Sequence, residues 1–472
     1  MTFTTLSFAL FFVAIFIPAI FLKSRVRIYK VYLLLVSAAF YFLIKPEFLA
    51  ILAISILVNY FFNYLLSKHL NGNKTIFVFA IIANLIFLGV FKYYNFFIDA
   101  FLNITKSLNI PSTLGVIQIL APAGISFFTF KSISHLFDVN RGELKKFSLI
   151  DFANFVSFFP QIASGPLVRA AVFYEDLNSS RKYKYNLGEV TGLFIGGLFK
   201  KYVISSFLFI VLDGPFTSPA NYNSLELFIA MLGYACLIFV DFSGYSDMAN
   251  SVSMLLGFKP VINFNLPYSS ESLKEFWRKW HISLSEWLKD YLYIPLGGNR
   301  KGEIRKYINL FLTMLIGGFW HGAGINFIIW GGIHGIGLAW SHFITWLFDF
   351  KENKLIKYTG VITTFIFVAI AWIFFNTKSV DIALQFIGQM FSFTDMNATG
   401  KIVSQSNLID PVVILVIVGV LLWNFFGDKI SKFGVWLLSR NIVITFILTA
   451  IAIGLILKFG PTTVPPFIYM SF

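Results

Sequence analysis

The chain has 472 residues, of which 57% are hydrophobic, 19% aromatic and only 13% charged. A soluble domain carries about 25% charged residues, so this composition excludes an ordinary cytosolic enzyme and places the chain among polytopic membrane proteins. The surplus of 37 Lys and Arg over 23 Asp and Glu gives a net charge of +14, which in this class records membrane orientation rather than binding to nucleic acid.

A spanning helix needs roughly 20 mostly apolar residues. Twelve segments qualify: 3–22, 28–44, 47–66, 75–94, 113–134, 190–212, 225–256, 307–321, 326–348, 360–376, 408–427 and 440–457. The expected fold class is an all-α polytopic integral membrane protein with about twelve crossings. The first segment has no basic stretch before it and no small-residue cleavage site after it, so it reads as retained rather than cleaved. Its basic flank, Lys23, Arg25, Arg27 and Lys30, follows it, which predicts an N-terminus outside. Carried along the chain, this orientation places 28 Lys and Arg on inner segments (23–30, 67–74, 141–146, 169–184, 257–306, 351–357 and 428–440) and six on outer positions. Lys131, Lys200 and Lys201 fall at no assigned depth. The bias predicts both termini outside. The one cysteine, Cys236, lies in an apolar run and builds no disulfide framework or thiolate metal site.

Two stretches depart from simple spans. FFPQIASGPLVR (158–169) is apolar but interrupted by Pro160, Gly165 and Pro166. It lies between two basic stretches assigned to the same side, so 151–172 reads as re-entrant, with a kinked interfacial helix as the alternative. The inner region 257–306 is long, basic and aromatic. Within 272–292, Leu273, Phe276, Trp277, Trp280, Leu284, Trp287, Leu288 and Tyr291 recur at three- and four-residue spacing, which predicts one interfacial helix with tryptophans among the headgroups and charges in the cytosol. His281 falls at the edge of that stripe, placed either to look into the membrane domain or to bond a headgroup.

Residues 307–348 contain no Lys, Arg, Asp or Glu, yet include His321, His334 and His342. Their length suits a hairpin of two passes turning at HGAGIN (321–326). Fourteen helical steps from Tyr307 put His321 roughly 21 Å into a core about 30 Å thick. Gly317 and Gly318 one turn earlier allow close approach of another helix or a bound chain. An ionisable group at that depth is a functional-site candidate, although a buried histidine can also be a satisfied core group. His334 lies about 220° from His321 in helical phase and His342 near the inner exit, so both read as packing residues. DFSGYSDMA (241–249) reads as a polar interhelical contact. The six histidines show no metal-ligand spacing, and the sequence has no Gly-x-Ser-x-Gly elbow, Walker loop or dinucleotide fingerprint. General acid-base or nucleophilic work by imidazole remains. Acyl transfer from a thioester to a hydroxyl suits it, because the donor is already activated and one acceptor proton must be removed.

FWRKWHISLSEWLKDYLYIPLGGNRKG (276–302) together with GGFWHGA (317–323) resembles the bacterial branch of the membrane-bound O-acyltransferase (MBOAT) family. The likeness is to the group that O-acetylates alginate and peptidoglycan. GISFFTFKSISHLFDVNRG (124–142), FFPQIASGPLVR, DFSGYSDMA and PFIYMSF (466–472) extend the resemblance from about residue 120 to the C-terminus. The resemblance implies that His321 matches the family's essential histidine and His281 its second, commonly asparagine in eukaryotic members. It divides the chain into N-terminal helices 1–112 and a catalytic core 113–472, in which 307–348 is the histidine-bearing hairpin. It also implies acetyl-CoA as donor on the inner face of a bacterial inner membrane, with no permanently bound cofactor, and a periplasmic glycan acyltransferase and its polysaccharide as partners. On this expectation Trp277, Trp280, Trp320 and Arg278 line the donor channel, and His321 serves as base or transient acyl carrier. D-alanyl transfer to teichoic acid by the same fold is one rival. A secondary transporter is another, although its related halves with interrupted helices in corresponding positions are not evident here.

Overall fold

The computed structural model describes residues 2–69, 72–110, 118–144, 147–180, 185–347, 353–392, 407–461, 465, 467 and 468. Of the predicted features, the start of the 113–134 segment, Lys145, Lys146, Arg181, Lys182, Lys184, Lys351, Lys401 and most of PFIYMSF lie outside these residues.

The described chain is helical, and each of the twelve apolar segments overlaps a helix. Eight are long and apolar enough to cross a membrane on length and composition alone: α3 (Pro46–Ser67), α4 (Lys74–Ser107), α9 (Leu187–Thr217), α10 (Ser224–Leu255), α14 (Ile325–Leu347), α15 (Lys354–Asn376), α17 (Pro411–Leu438) and α18 (Ile442–Phe459). The other four are α1 (Leu6–Leu22), α2 (Val26–Phe42), α5 (Ile125–Asn140) and α13 (Glu303–His321), which are shorter or carry charges at one end. Large apolar side chains such as Phe446, Ile442 and Leu415 stand 71% or more exposed. A surface so apolar finds its solvent in acyl chains.

The chain forms two compact units, residues 1–184 with 252–261, and residues 185–251 with 262–472. In the first, the helix of the fifth apolar segment begins later than predicted. Helix α5 starts only at Ile125, because Gly124 turns the backbone at φ +71 and packs against the Ile162 carbonyl, where a Cβ would collide. The fourth crossing runs on past residue 94 through a π-turn at Gly89–Tyr93. The interrupted segment is a chain of short helices, α6 (Leu149–Ser157), α7 (Phe159–Ile162) and, after a non-helical stretch, α8 (Ala170–Asn178). Every residue from Asp151 to Val168 is buried, as broken backbone requires where protein must satisfy its amides. Lys131, left without a depth by the sequence, is buried and donates to the Phe155 carbonyl at 2.9 Å and to Gln161 Oε1 at 3.0 Å.

In the second unit the other two such lysines find carboxylates, and DFSGYSDMA is the interhelical contact expected of it. Lys200 pairs with Asp247. Lys201 pairs with Asp241 at 2.5 Å, and Asp241 also accepts from Ser205 Oγ at 2.5 Å and from the Ile468 amide at 3.0 Å.

The predicted continuous helix over 272–292 is broken, and this is a correction. Helix α11 (Leu273–Lys279) ends at an extended Trp280, His281 turns left-handed at φ +41, and α12 (Ile282–Leu288) follows. Residues 263–265 cause the break: Asn265 donates to the Lys279 carbonyl at 3.0 Å and Ile282 to the Asn263 carbonyl at 2.9 Å, in place of helical bonds. The apolar stripe is buried as its spacing predicted, but Trp280 lies in the protein core, 1% exposed, and not among headgroups.

Candidate active site

The site is built on the hairpin of α13 and α14. Its two helices meet backbone to backbone: a Cβ on Gly318 would lie 2.9 Å from the Gly331 Cα and collide with the Phe327 carbonyl, and one on Gly331 would collide with the Met314 carbonyl. Gly317, by contrast, faces only the flexible end of Leu288 at 3.3 Å. Small residues at such a crossing let helices pack where no hydrophobic force separates protein from lipid. Gly318→Ala is therefore expected to cost about 1–3 kcal/mol by overpacking and Gly317→Ala much less, as read from melting midpoints of the detergent-solubilised protein.

The turn occupies Gly322–Gly324, and Asn326 at its far side donates to the Thr377 carbonyl at 2.5 Å. His321 is the last residue of α13. Its ring packs edge-on against Trp320 (centroids 4.8 Å apart), Trp330 (5.1 Å) and Phe375 (5.3 Å). It keeps 6% of its surface accessible, whereas His281 and His334 keep none. Among these three histidines only His321 keeps any accessible surface.

His281 sits at the break between α11 and α12. Asn263 Nδ2 donates to Ser246 Oγ at 3.3 Å, and Asn263 Oδ1 accepts from Ser283 Oγ at 2.8 Å and from the Ser283 amide at 3.2 Å. That oxygen is an acceptor only, so His281 Nδ1, 3.3 Å away, is assigned as the protonated nitrogen, which leaves Nε2 the basic one. Phe242 closes on the ring at 4.5 Å. Burial pushes the His281 pKa down to about 3, so the ring is uncharged at neutral pH. Because the unfolded chain binds this proton near pH 6.5 and the folded chain does not, stability is expected to fall as pH drops below about 6.5. His281→Asn removes that component. Its amide also tolerates the left-handed backbone better than a β-branched residue does, so His281→Asn is expected to fold and His281→Val to lose folded yield, as seen by size-exclusion chromatography in detergent.

Of the channel candidates, Trp320 is 5% exposed and Trp280 1%. Trp277 is half-buried and meets Trp330 at 5.8 Å, while Arg278 lies on the exposed side of α11. Trp280 stacks toward Trp372 at 5.1 Å and Trp372 against Trp330 at 5.4 Å, so one aromatic assembly links His281's neighbour to His321. Sequence reasoning missed Trp330, Trp372, Phe375 and Asn263. It also set His334 aside by extending the phase of α13 through the turn. The turn resets that phase, and His334, four residues after Trp330 on α14, packs against the same indole as His321, at 4.8 Å. The spacing of Trp330 and His334 on their own helix was the available signal.

Comparison with known proteins identifies the family. The model of the membrane-bound O-acyltransferase family matches residues 125–383. The chain is 36% identical over 433 residues, 90% of its length and 87% of the relative's, to the probable alginate O-acetylase AlgI of Pseudomonas putida. It is 37% identical over 395 residues, 76% and 73% of the two lengths, to the peptidoglycan O-acetyltransferase of Helicobacter pylori. To the teichoic acid D-alanyltransferase of Bacillus subtilis it is 31% identical over 274 residues, 54% and 68% of the lengths. A multi-helix membrane fold, a histidine-bearing hairpin and a family match across more than half the chain agree: the protein belongs to the membrane-bound O-acyltransferase family and is an O-acyltransferase.

Proposed function

We propose that the enzyme takes an acetyl group from acetyl-CoA at the inner face of a bacterial cytoplasmic membrane and passes it outward. A periplasmic partner acyltransferase would carry it on to the hydroxyls of a glycan, peptidoglycan or an alginate-like exopolysaccharide. The observation that carries this reading is His321, an imidazole closed in by Trp320, Trp330 and Phe375 yet still accessible. Such a ring takes the proton of an acceptor hydroxyl while the oxygen bonds to the thioester carbonyl carbon. The C–S bond then breaks, and the proton passes to the leaving thiolate.

The basic inner region 257–306, with Arg278 and Lys274 on its exposed side, suits the phosphates of the nucleotide, and the 28-to-six distribution of basic residues supports both termini outside. Acetyl is favoured over D-alanyl because the acetylating relatives align with 76–90% of this chain and the D-alanyltransferases with little more than half. The test is labelled acetyl-CoA supplied to the inner face of vesicles holding this protein, with a periplasmic acyltransferase and its polysaccharide on the other side. Label is expected on the polysaccharide. Transfer from a D-alanyl carrier protein but not from acetyl-CoA overturns the reading.

A further inference from the structure

His334 is fully buried, and neither of its ring nitrogens has a hydrogen-bond partner among the described residues. It is enclosed by Trp277 at 5.1 Å, Trp330 at 4.8 Å, Phe367 at 5.8 Å and, more loosely, Trp372 at 6.4 Å. The indole nitrogens of Trp277, Trp330 and Trp372 are also buried without an acceptor among the described residues. Buried polar atoms are nearly always paired, so four such residues side by side mark a place built to receive something.

The donor inventory says what. Three indole N–H groups and an uncharged imidazole offer four donors and a single acceptor, and a charged imidazole would offer five donors and none. The deficit is of acceptors. The walls are aromatic and apolar, which suits a neutral acceptor over an anion. Trp330 forms both one wall of this cell and one side of the His321 cage, so an occupant lies beside the reacting centre.

Building on the acetyl-CoA reading, we propose that His334, with Trp277, Trp330 and Trp372, forms a binding cell for a carbonyl oxygen of the acyl donor and holds the donor in register with His321. His334 is a positioning residue in this arrangement. The carbonyl belongs either to the thioester or to an amide of the pantetheine arm.

The experiment measures binding of acetyl-CoA and of free CoA to the purified full-length protein, together with steady-state transfer, for the wild type, His334→Phe and His334→Gln. His334→Phe removes two unsatisfied nitrogens from an apolar box, so its melting midpoint is expected at or above that of the wild type. It is nevertheless expected to weaken acetyl-CoA binding roughly tenfold or more and to raise KM more than it lowers kcat. His334→Gln, which keeps a donor and an acceptor, restores much of the affinity. Loss confined to acetyl-CoA assigns the thioester carbonyl, and equal loss for CoA assigns a pantetheine amide. Unchanged affinity of His334→Phe for both ligands overturns the proposal and leaves a cell that holds only water. That result leaves the role of His321 standing, whereas a His321→Ala variant with full transfer removes the acyl-transfer reading whatever His334 does.

Discussion

The His321→Ala variant is expected to lose acyl transfer by two to four orders of magnitude while accumulating to normal levels in the membrane. The magnitude is that of a positioned general base. An acyl-imidazole route would make the loss larger, since the acyl group then has no carrier. Folding is expected to survive because the side chain sits at the end of α13 beside a turn. The cage rings also pack on one another without it, Trp330 against Phe375 at 5.3 Å and Trp372 against Phe375 at 5.1 Å. The measurement is O-acetylation of cell-surface glycan, with elution volume in detergent as the folding control. Undiminished acetylation in well-folded His321→Ala protein would remove the imidazole from the chemistry. A His321→Gln companion separates proton transfer from packing: it fills much of the same volume without a comparable base, so activity should stay low while the melting midpoint stays near the wild type.

The largest effect on stability is expected from Asp241→Asn. Asp241 is 1% exposed and Lys201 6%, both as side chains, and the carboxylate also satisfies Ser205 and the Ile468 amide. Removing one charge of a buried pair leaves the other uncompensated, at a cost of about 3–5 kcal/mol. Asp241→Asn is therefore expected to lower the melting midpoint sharply. Replacing both partners, as Lys201→Met with Asp241→Leu, should recover most of that loss, because an apolar pair carries no desolvation penalty. A double variant no more stable than Asp241→Asn would show that the bonds to Ser205 and Ile468 outweigh the ion pair. The exposed Lys432–Asp428 pair on α17 is the control: exposed i,i+4 pairs contribute about 0.3–0.5 kcal/mol.

The apolar helices and the hairpin were legible because membrane insertion depends on apolar length, and apolar length can be counted along a chain. All twelve apolar segments overlap helices, eight of which are candidate membrane spans, and the 307–348 stretch turns where its glycines placed the turn. His321 stood out for the same reason, as a titratable group inside an uncharged stretch. The aspartates of DFSGYSDMA and the three lysines of unassigned depth were visible as polar groups in apolar surroundings, but their pairing partners were not. Lys201 lies forty residues from Asp241, and helical phase within one segment says nothing of which neighbour it faces.

What only the tertiary structure decided is how separate helices are turned toward one another. The break at Trp280–His281 follows from backbone bonds to residues 263–265, far enough away in sequence that the apolar stripe across 273–291 still looks unbroken. The aromatic cage draws Trp320 and His321 from α13, Trp330 and His334 from α14, and Trp372 and Phe375 from α15. Sequence by itself determined that this is a many-pass membrane protein with an imidazole inside an uncharged apolar stretch, because hydrophobicity and local periodicity act over a few residues. The surroundings of that imidazole depend on contacts between chain-distant helices, whose relative rotation is set by packing that no local pattern encodes.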